Sequence, residues 1–276
     1  MNTLTGINSG IIKSPQGVVA IALKASCASG AEHLLYLPPN QMRELMFAIS
    51  ACHRALLENY QTEPEVVKAQ VTAATNILSA NPPVITLEEV QNPQVELRVT
   101  NFIFKQNKGK PTFLFFLQNE GVVSIELSLA QIEFIITLFL ISIRKSDDEG
   151  FITLMTGAND FIPLYTTAVS TTQGGGLTYH RFNIPEWKIG VLACFYSLIF
   201  IQQDGHVPCG IIFKAGDTLE PSRAENIGTL FLSGNTLLAP YKTQSMHVDC
   251  VKLDVNEDNM ESLLRAHFNH RATKLN

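Results

Sequence analysis

Two similar tetrads, His206-Val207-Pro208-Cys209 and His247-Val248-Asp249-Cys250, supply two imidazoles and two thiols, the donor set of a tetrahedral zinc site. Their spacing argues against that use. Residues i and i+3 of an extended strand point to opposite faces, so a turn at each tetrad would be needed to converge the donors. Ordinary strand residues and no metal are expected. A second constellation sets Phe102 and Phe104 on one segment and Phe113 and Phe115 on the next, beside Lys105, Lys108 and Lys110. Antiparallel strands with exposed aromatics and a basic tip can stack single-stranded bases and hold their phosphates. The leading reading instead packs these rings on a helix as core and leaves the lysines to solvate a turn.

The remaining polar groups are weaker. Gly174-Gly175-Gly176 lacks the following Lys-Ser/Thr and the preceding buried strand of a phosphate-binding loop. No G-x-S-x-G sequence is present. His267 and His270, one turn apart, suit a solvated helix end, and Asp160 and Glu186 are lone acids in apolar surroundings. No catalytic residue and no cofactor is implied.

The elements that would position these groups recur in order. Ile11-Ile12, a turn at Ser14-Pro15-Gln16-Gly17, Val18 to Leu23, a turn at Ala28-Ser29-Gly30 and His33 to Leu37 read as three antiparallel strands. Pro38-Pro39-Asn40 then leads into Met42, Leu45, Met46 and Ile49 at helical spacing. Val95 to Lys105, Thr112 to Gln118 and Val122 to Leu127 repeat the three strands, and Ser128 opens a helix carrying Ile132, Ile135, Ile136, Phe139 and Ile143. Setting Leu37 on Leu127 superposes Gln41 on Gln131, Met42 on Ile132, Leu45 on Ile135 and Ile49 on Phe139. Order and helix phase together argue for duplication. A third, fainter copy stays open as an option over Leu177 to Phe182, Leu192 to Gln202, the Asp204-Gly205 turn, Val207 to Lys214 and a helix from Leu219 through Leu232. Thr62 to Ala80 reads as a further helix, Asn81-Pro82-Pro83 as a break, and the end of the chain as a strand, Met246 to Val255, and a helix, Met260 to Arg271.

Gly6-Ile7-Asn8-Ser9-Gly10-Ile11-Ile12 with Ala20-Ile21-Ala22-Leu23-Lys24, then Met42-Arg43-Glu44-Leu45, Phe161-Ile162-Pro163-Leu164-Tyr165 and Pro185-Glu186-Trp187-Lys188 leading into Phe195-Tyr196 resemble the enterobacterial YjeJ family. The resemblance covers most of the chain. It implies a bacterial cytoplasmic protein and carries no catalytic residue or cofactor with it.

Composition bounds the function. Charged residues are 16% of the chain, against about 25% in a typical soluble domain, while apolar residues are 46%. So thinly charged a surface is expected to be covered in part by a partner or a second copy. The net charge of -5 provides no global basic field for nucleic acid. Five scattered cysteines without a C-x-x-C pair are how a reduced cytosolic protein uses them. Residues 1–13 show no basic segment followed by an apolar one, and no signal peptide is expected there. The apolar stretches 132–143 and 190–201 fall short of a span of about 18 residues and read as core. The expectation is therefore an α+β fold of duplicated strand-strand-strand-helix units, two of them in residues 1–150 and a further α+β half in 151–276. In function it is a non-enzymatic regulatory or accessory protein that binds itself and another protein, with single-stranded nucleic-acid binding as the alternative and an enzyme with a dispersed site as the third option.

Overall fold

The computed structural model describes residues 3–107, 110–156, 161–169, 177–205, 207–216, 218–235, 238, 241, 245–254, 262 and 266. Lys108, Asp160, the Gly174-Gly175-Gly176 run, His206, His267 and His270 lie outside the described residues, as does nearly all of the expected closing helix. The chain forms mixed α+β structure in two compact units, Met1–Asn159 and Asp160–Asn276.

In the first unit, β1 (Leu4–Ser14), β2 (Gly17–Cys27) and β3 (Glu32–Leu37) form an antiparallel meander, followed by α1 (Pro39–Thr62) and α2 (Pro64–Ala80). Pro39 occupies the first turn of α1, where its missing N–H is not needed. Pro64 separates the two helices by driving Glu63 out of helical geometry, to φ -137 and ψ 64. A short α3 (Leu87–Gln91) precedes the second meander, β4 (Val99–Asn107), β5 (Lys110–Leu117) and β6 (Val122–Glu126). Then come α4 (Ile132–Lys145) and α5 (Glu149–Thr156), so the unit runs past Gly150.

The duplication extends to single hydrogen bonds. Both first strands bulge at a threonine, between Leu4 and Gly6 and between Val99 and Asn101. The Thr5 hydroxyl donates to the Ser26 carbonyl at 3.1 Å, and the Thr100 hydroxyl donates to the Phe116 carbonyl at 3.1 Å. Gln131 Nε2 reaches the Leu4 carbonyl at 2.9 Å, and Gln41 Nε2 reaches the Thr100 carbonyl at 2.9 Å, so each helix start is tied to the first strand of the other repeat. Parallel bridges join Thr3 to Glu126 and Tyr36 to Arg98, which makes the relation between the repeats reciprocal. Even the turns match: Gly30 (φ 82) in the first repeat is replaced in the second by Glu120 (φ 64).

Both repeats contribute fully buried side chains, Ile21, Leu35, Leu37, Met42 and Ile49 from the first and Phe113 and Phe139 from the second. Asp148 secures the last turn. Its carboxylate accepts from Phe151 N–H at 2.9 Å, capping α5, and from Val18 N–H at 2.8 Å, which anchors the β1–β2 hairpin. Those bonds, Phe151 first and Val18 second, hold its carboxyl below the ordinary 3.8. A depressed folded pKa contributes stability that is present above the unfolded value and lost as pH falls through the folded one. Urea midpoints measured above and below pH 3.8 are therefore expected to decline with acid in the native chain and to decline less in Asp148→Asn. Equal slopes would show that this carboxylate does not anchor the hairpin.

In the second unit, β7 (Phe161–Val169), β8 (Leu177–Arg181), α6 (Glu186–Ile189), β9 (Cys194–Gln202), β10 (Cys209–Ala215), α7 (Pro221–Gly234) and β11 (Met246–Leu253) follow in order. The strands expected for a third copy are present, but their pairing is not. The sheet order is β11-β9-β10-β7-β8, so β8 pairs with β7 rather than β9, and the three-strand meander of the repeats is absent. The chain from β8 to β9 passes through Pro185 and α6 instead of a hairpin turn. The second unit is therefore not a third copy of the repeat. β7 carries Pro163 beside a register shift, where a missing N–H is tolerated. On one face α7 packs Ala224, Ile227 and Phe231 against Leu198, Phe200, Ile211 and Phe213. Gly228 sits so close to that sheet that an added Cβ would lie 3.2 Å from Val248.

Candidate functional site

The outward faces of the two meanders differ, and the difference locates the site. On the first sheet that face carries Gly6, Asn8, Gly10, Ala22, Lys24 and Tyr36, mostly small residues. Over them runs a strap, residues 81–97. Asn8 Nδ2 donates to the Pro83 carbonyl at 3.0 Å, and the Tyr36 hydroxyl donates to the Glu89 carbonyl at 2.9 Å. Lys24 Nζ meets the Val84 carbonyl at 2.8 Å and the Glu89 carboxylate at 2.7 Å. That ammonium, and then the Thr86 N–H, holds the Glu89 carboxyl below its ordinary value. Val90 and Leu97 close the apolar cluster of Ile12, Ala20, Ala22 and Tyr36.

On the second sheet the matching face is built of larger side chains. Directly paired residues of antiparallel strands share a face. The register therefore gives three outward rows across all three strands, Asn101–Phe116–Val122, Ile103–Leu114–Ser124 and Lys105–Thr112–Glu126, and places Lys110 on the same face of β5 beyond Thr112. Asn101, Lys105 and Val122 are exposed, Val122 by 55%, and Ile103, Leu114 and Phe116 are half-buried. Lys110 Nζ lies 3.5 Å from Glu126, which also accepts from the Thr3 hydroxyl at 3.1 Å. The result is an apolar stretch bounded at one end by Lys105, Lys110 and Glu126.

The inward rows hold Phe102, Phe104, Phe113 and Phe115, which are 2%, 6%, 2% and 2% exposed. Phe104 and Phe113 lie 5.2 Å apart, and Phe102 and Phe115 lie 5.9 Å apart. Rings so enclosed offer no face to a base. This corrects the stacking role considered for these four residues: the helices cover that side of the strands. Lys105 and Lys110 do lie exposed, on the opposite face, alongside Glu126.

A family model described as YjeJ-like matches residues 1–276. The chain belongs to the YjeJ-like family. A protein of Escherichia coli (strain K12) named "Uncharacterized protein YjeJ" is 24% identical over 211 residues, covering 73% of this chain and 70% of its own length. No solved structure matches.

Elsewhere in this YjeJ-like chain the polar groups that the sequence singled out do not converge among the described residues. Cys209 on β10 and Cys250 on β11 are separated by β9, and His247 sits exposed three residues from Cys250 on the opposite side of its strand. Burial pushes the Cys209 thiol up to about 12 and the Cys250 thiol up to about 11, with Asp249 adding to the latter, so neither is a thiolate at neutral pH. On the sheet face away from α7, Ser197 and Lys214 are diagonal neighbours, and the Lys214 ammonium lies 4.5 Å over the Phe195 ring. At 0% and 6% exposure they lack a surface that a substrate can approach. Glu186 opens the short α6. Among the described residues no helix is long and apolar enough to cross a membrane.

The sequence singled out this hairpin through its inward aromatic phase. Ile103, Leu114, Phe116, Val122 and Glu126 were legible only as the alternate phase of the same strands.

Proposed function

We propose that this chain is a non-enzymatic accessory protein of the bacterial cytoplasm that works by binding proteins, itself included, through the outward face of β4–β5–β6. The observation that carries the reading is the contrast between the two repeats. The first seals its outward face with its own strap, while the second presents Ile103, Leu114, Phe116 and the 55%-exposed Val122. The low charge of the chain, 16%, supports the same reading. Sedimentation equilibrium of the full chain at micromolar concentration is expected to give a dimer or larger species. A monomer throughout that range removes self-binding from the function.

A further inference from the structure

Helix α4 is apolar nearly all round, and its buried side accounts for only part of that. Ile132, Ile135, Phe139, Ser142 and Ile143 form the buried side, with the Ser142 hydroxyl 2.7 Å from that of Ser9 on β1. At about 100° per residue the opposite side presents Glu133, Thr137, Leu140 and Arg144 as one seam, with Ile141 and Lys145 beside it. Leu140 is 38% exposed and Ile141 46%. The superposition that sets Leu45 on Ile135 places Phe47 at Thr137, and Phe47 is buried. The same side of the helix is therefore covered in the first repeat and open in the second.

The charges of the seam stand at its two ends. Glu133 lies in the first turn of α4 and Arg144 and Lys145 in the last, about 16 Å away along the axis. Such placement suits the macrodipole of the helix itself, but it leaves the exposed Leu140 and Ile141 between the charges unexplained. Two antiparallel copies of the seam set Glu133 against Arg144 at both ends. They also set Thr137 against Leu140 twice in the middle, because those residues straddle the same midpoint. A parallel pair would instead oppose Glu133 to Glu133 and Arg144 to Arg144. The Tyr60 side chain hydrogen-bonds Glu133, and among the described residues no ion pair neutralises Glu133, Arg144 or Lys145. Asp147, the next acid along the chain, has φ 49 and lies past the end of the helix, outside the seam. On α1 the superposition puts Arg43 and Arg54 where α4 has Glu133 and Arg144, so only the second helix is self-complementary.

We propose that two copies of this chain pair through α4, antiparallel about a twofold axis crossing the helix between Thr137 and Leu140, with Glu133 of each copy meeting Arg144 and Lys145 of the other. This shares with the reading above that the chain binds itself, and it adds a surface distinct from the β4–β5–β6 face. The contact is isologous and closes at the dimer. A single pair of helices is a small interface, so its strength is expected in the micromolar range, with charge fixing the register.

The test is a charge exchange in the full chain, read by sedimentation equilibrium. It is made both in the native chain and in one carrying Leu114→Asp, so that self-binding through the sheet face is read apart. Glu133→Lys is one variant and Arg144→Glu with Lys145→Glu the other. In the Leu114→Asp chain each is expected to weaken association at least about tenfold, since like charges then meet at both ends. Mixed in equal amounts, the two restore opposite charges at both ends and are expected to recover most of the lost strength. Association unmoved by either exchange overturns the helix contact and leaves self-binding standing. So does a native chain that associates when the Leu114→Asp chain does not. Weakening without recovery in the mixture overturns the antiparallel geometry. A native chain that stays monomeric overturns self-binding altogether and leaves α4 to a partner of another kind. Thermal melting checks that the variants fold. Should either exchange fail to fold, Leu140→Asp takes its place, and a dimer it leaves unweakened overturns the proposal.

Discussion

Phe113→Ala is expected to lower the stability of the chain by about 3–5 kcal/mol, read as a fall in the urea midpoint with an unchanged slope. Phe113 is 2% exposed and faces the rings of Phe104 at 5.2 Å and Phe115 at 6.1 Å, with Ile125 paired beside it on β6. Those neighbours are themselves buried and held in paired strands, so the space left by the ring would remain largely as a cavity, which is what places the loss at the upper end for a core residue. Phe116→Ala is the matched control. It lies three residues along the same strand on the outward face and is half-buried, so its loss of stability is expected to stay near about 1 kcal/mol. Similar losses at both positions would mean that the two faces of β5 have been assigned the wrong way round.

That assignment is the point at which sequence reasoning stopped. On β5 both phases are apolar, Phe113 and Phe115 on one and Leu114 and Phe116 on the other, so strict alternation does not choose between them. The choice belongs to the helices, whose covered side only the folded chain defines. What was legible was local or periodic: the order of strands and helix, the turns, and the matching phase of Gln41 and Gln131, whose side chains prove to make equivalent bonds. The pairing of β7 with β10 was not legible, because it joins segments far apart in sequence without a turn to signal it. The strap was hidden for a related reason. Asn81-Pro82-Pro83 announces a break, but nothing in residues 81–97 says which surface they cross. The recipient face carried the signal, in Gly6, Gly10, Ala20 and Ala22, small residues spaced along two strands where backbone is to pass close by.

Gly6→Ala puts that reading to the test. A Cβ on Gly6 would collide with the Asn81 carbonyl oxygen and come within 3.3 Å of Pro83 Cδ, and a carbonyl on fixed backbone cannot turn aside as a side chain can. Either β1 shifts in its sheet or the strap lifts, and lifting it strains the bonds from Asn8 to Pro83, from Lys24 to Val84 and Glu89, and from Tyr36 to Glu89. A loss of about 1–3 kcal/mol is expected for such overpacking. It should be accompanied by faster proteolysis and amide exchange within residues 81–97. Gly10→Ala supplies the contrast on the same strand and face. Its Cβ would meet only Ile85 and Val90 side chains at 3.7 Å, ordinary contact, and alanine reduces the freedom of the unfolded chain, so that variant is expected to be neutral or slightly more stable. If both glycines accept alanine equally, the strap is not seated on the first sheet, and the contrast that marks the second sheet as the binding face disappears with it.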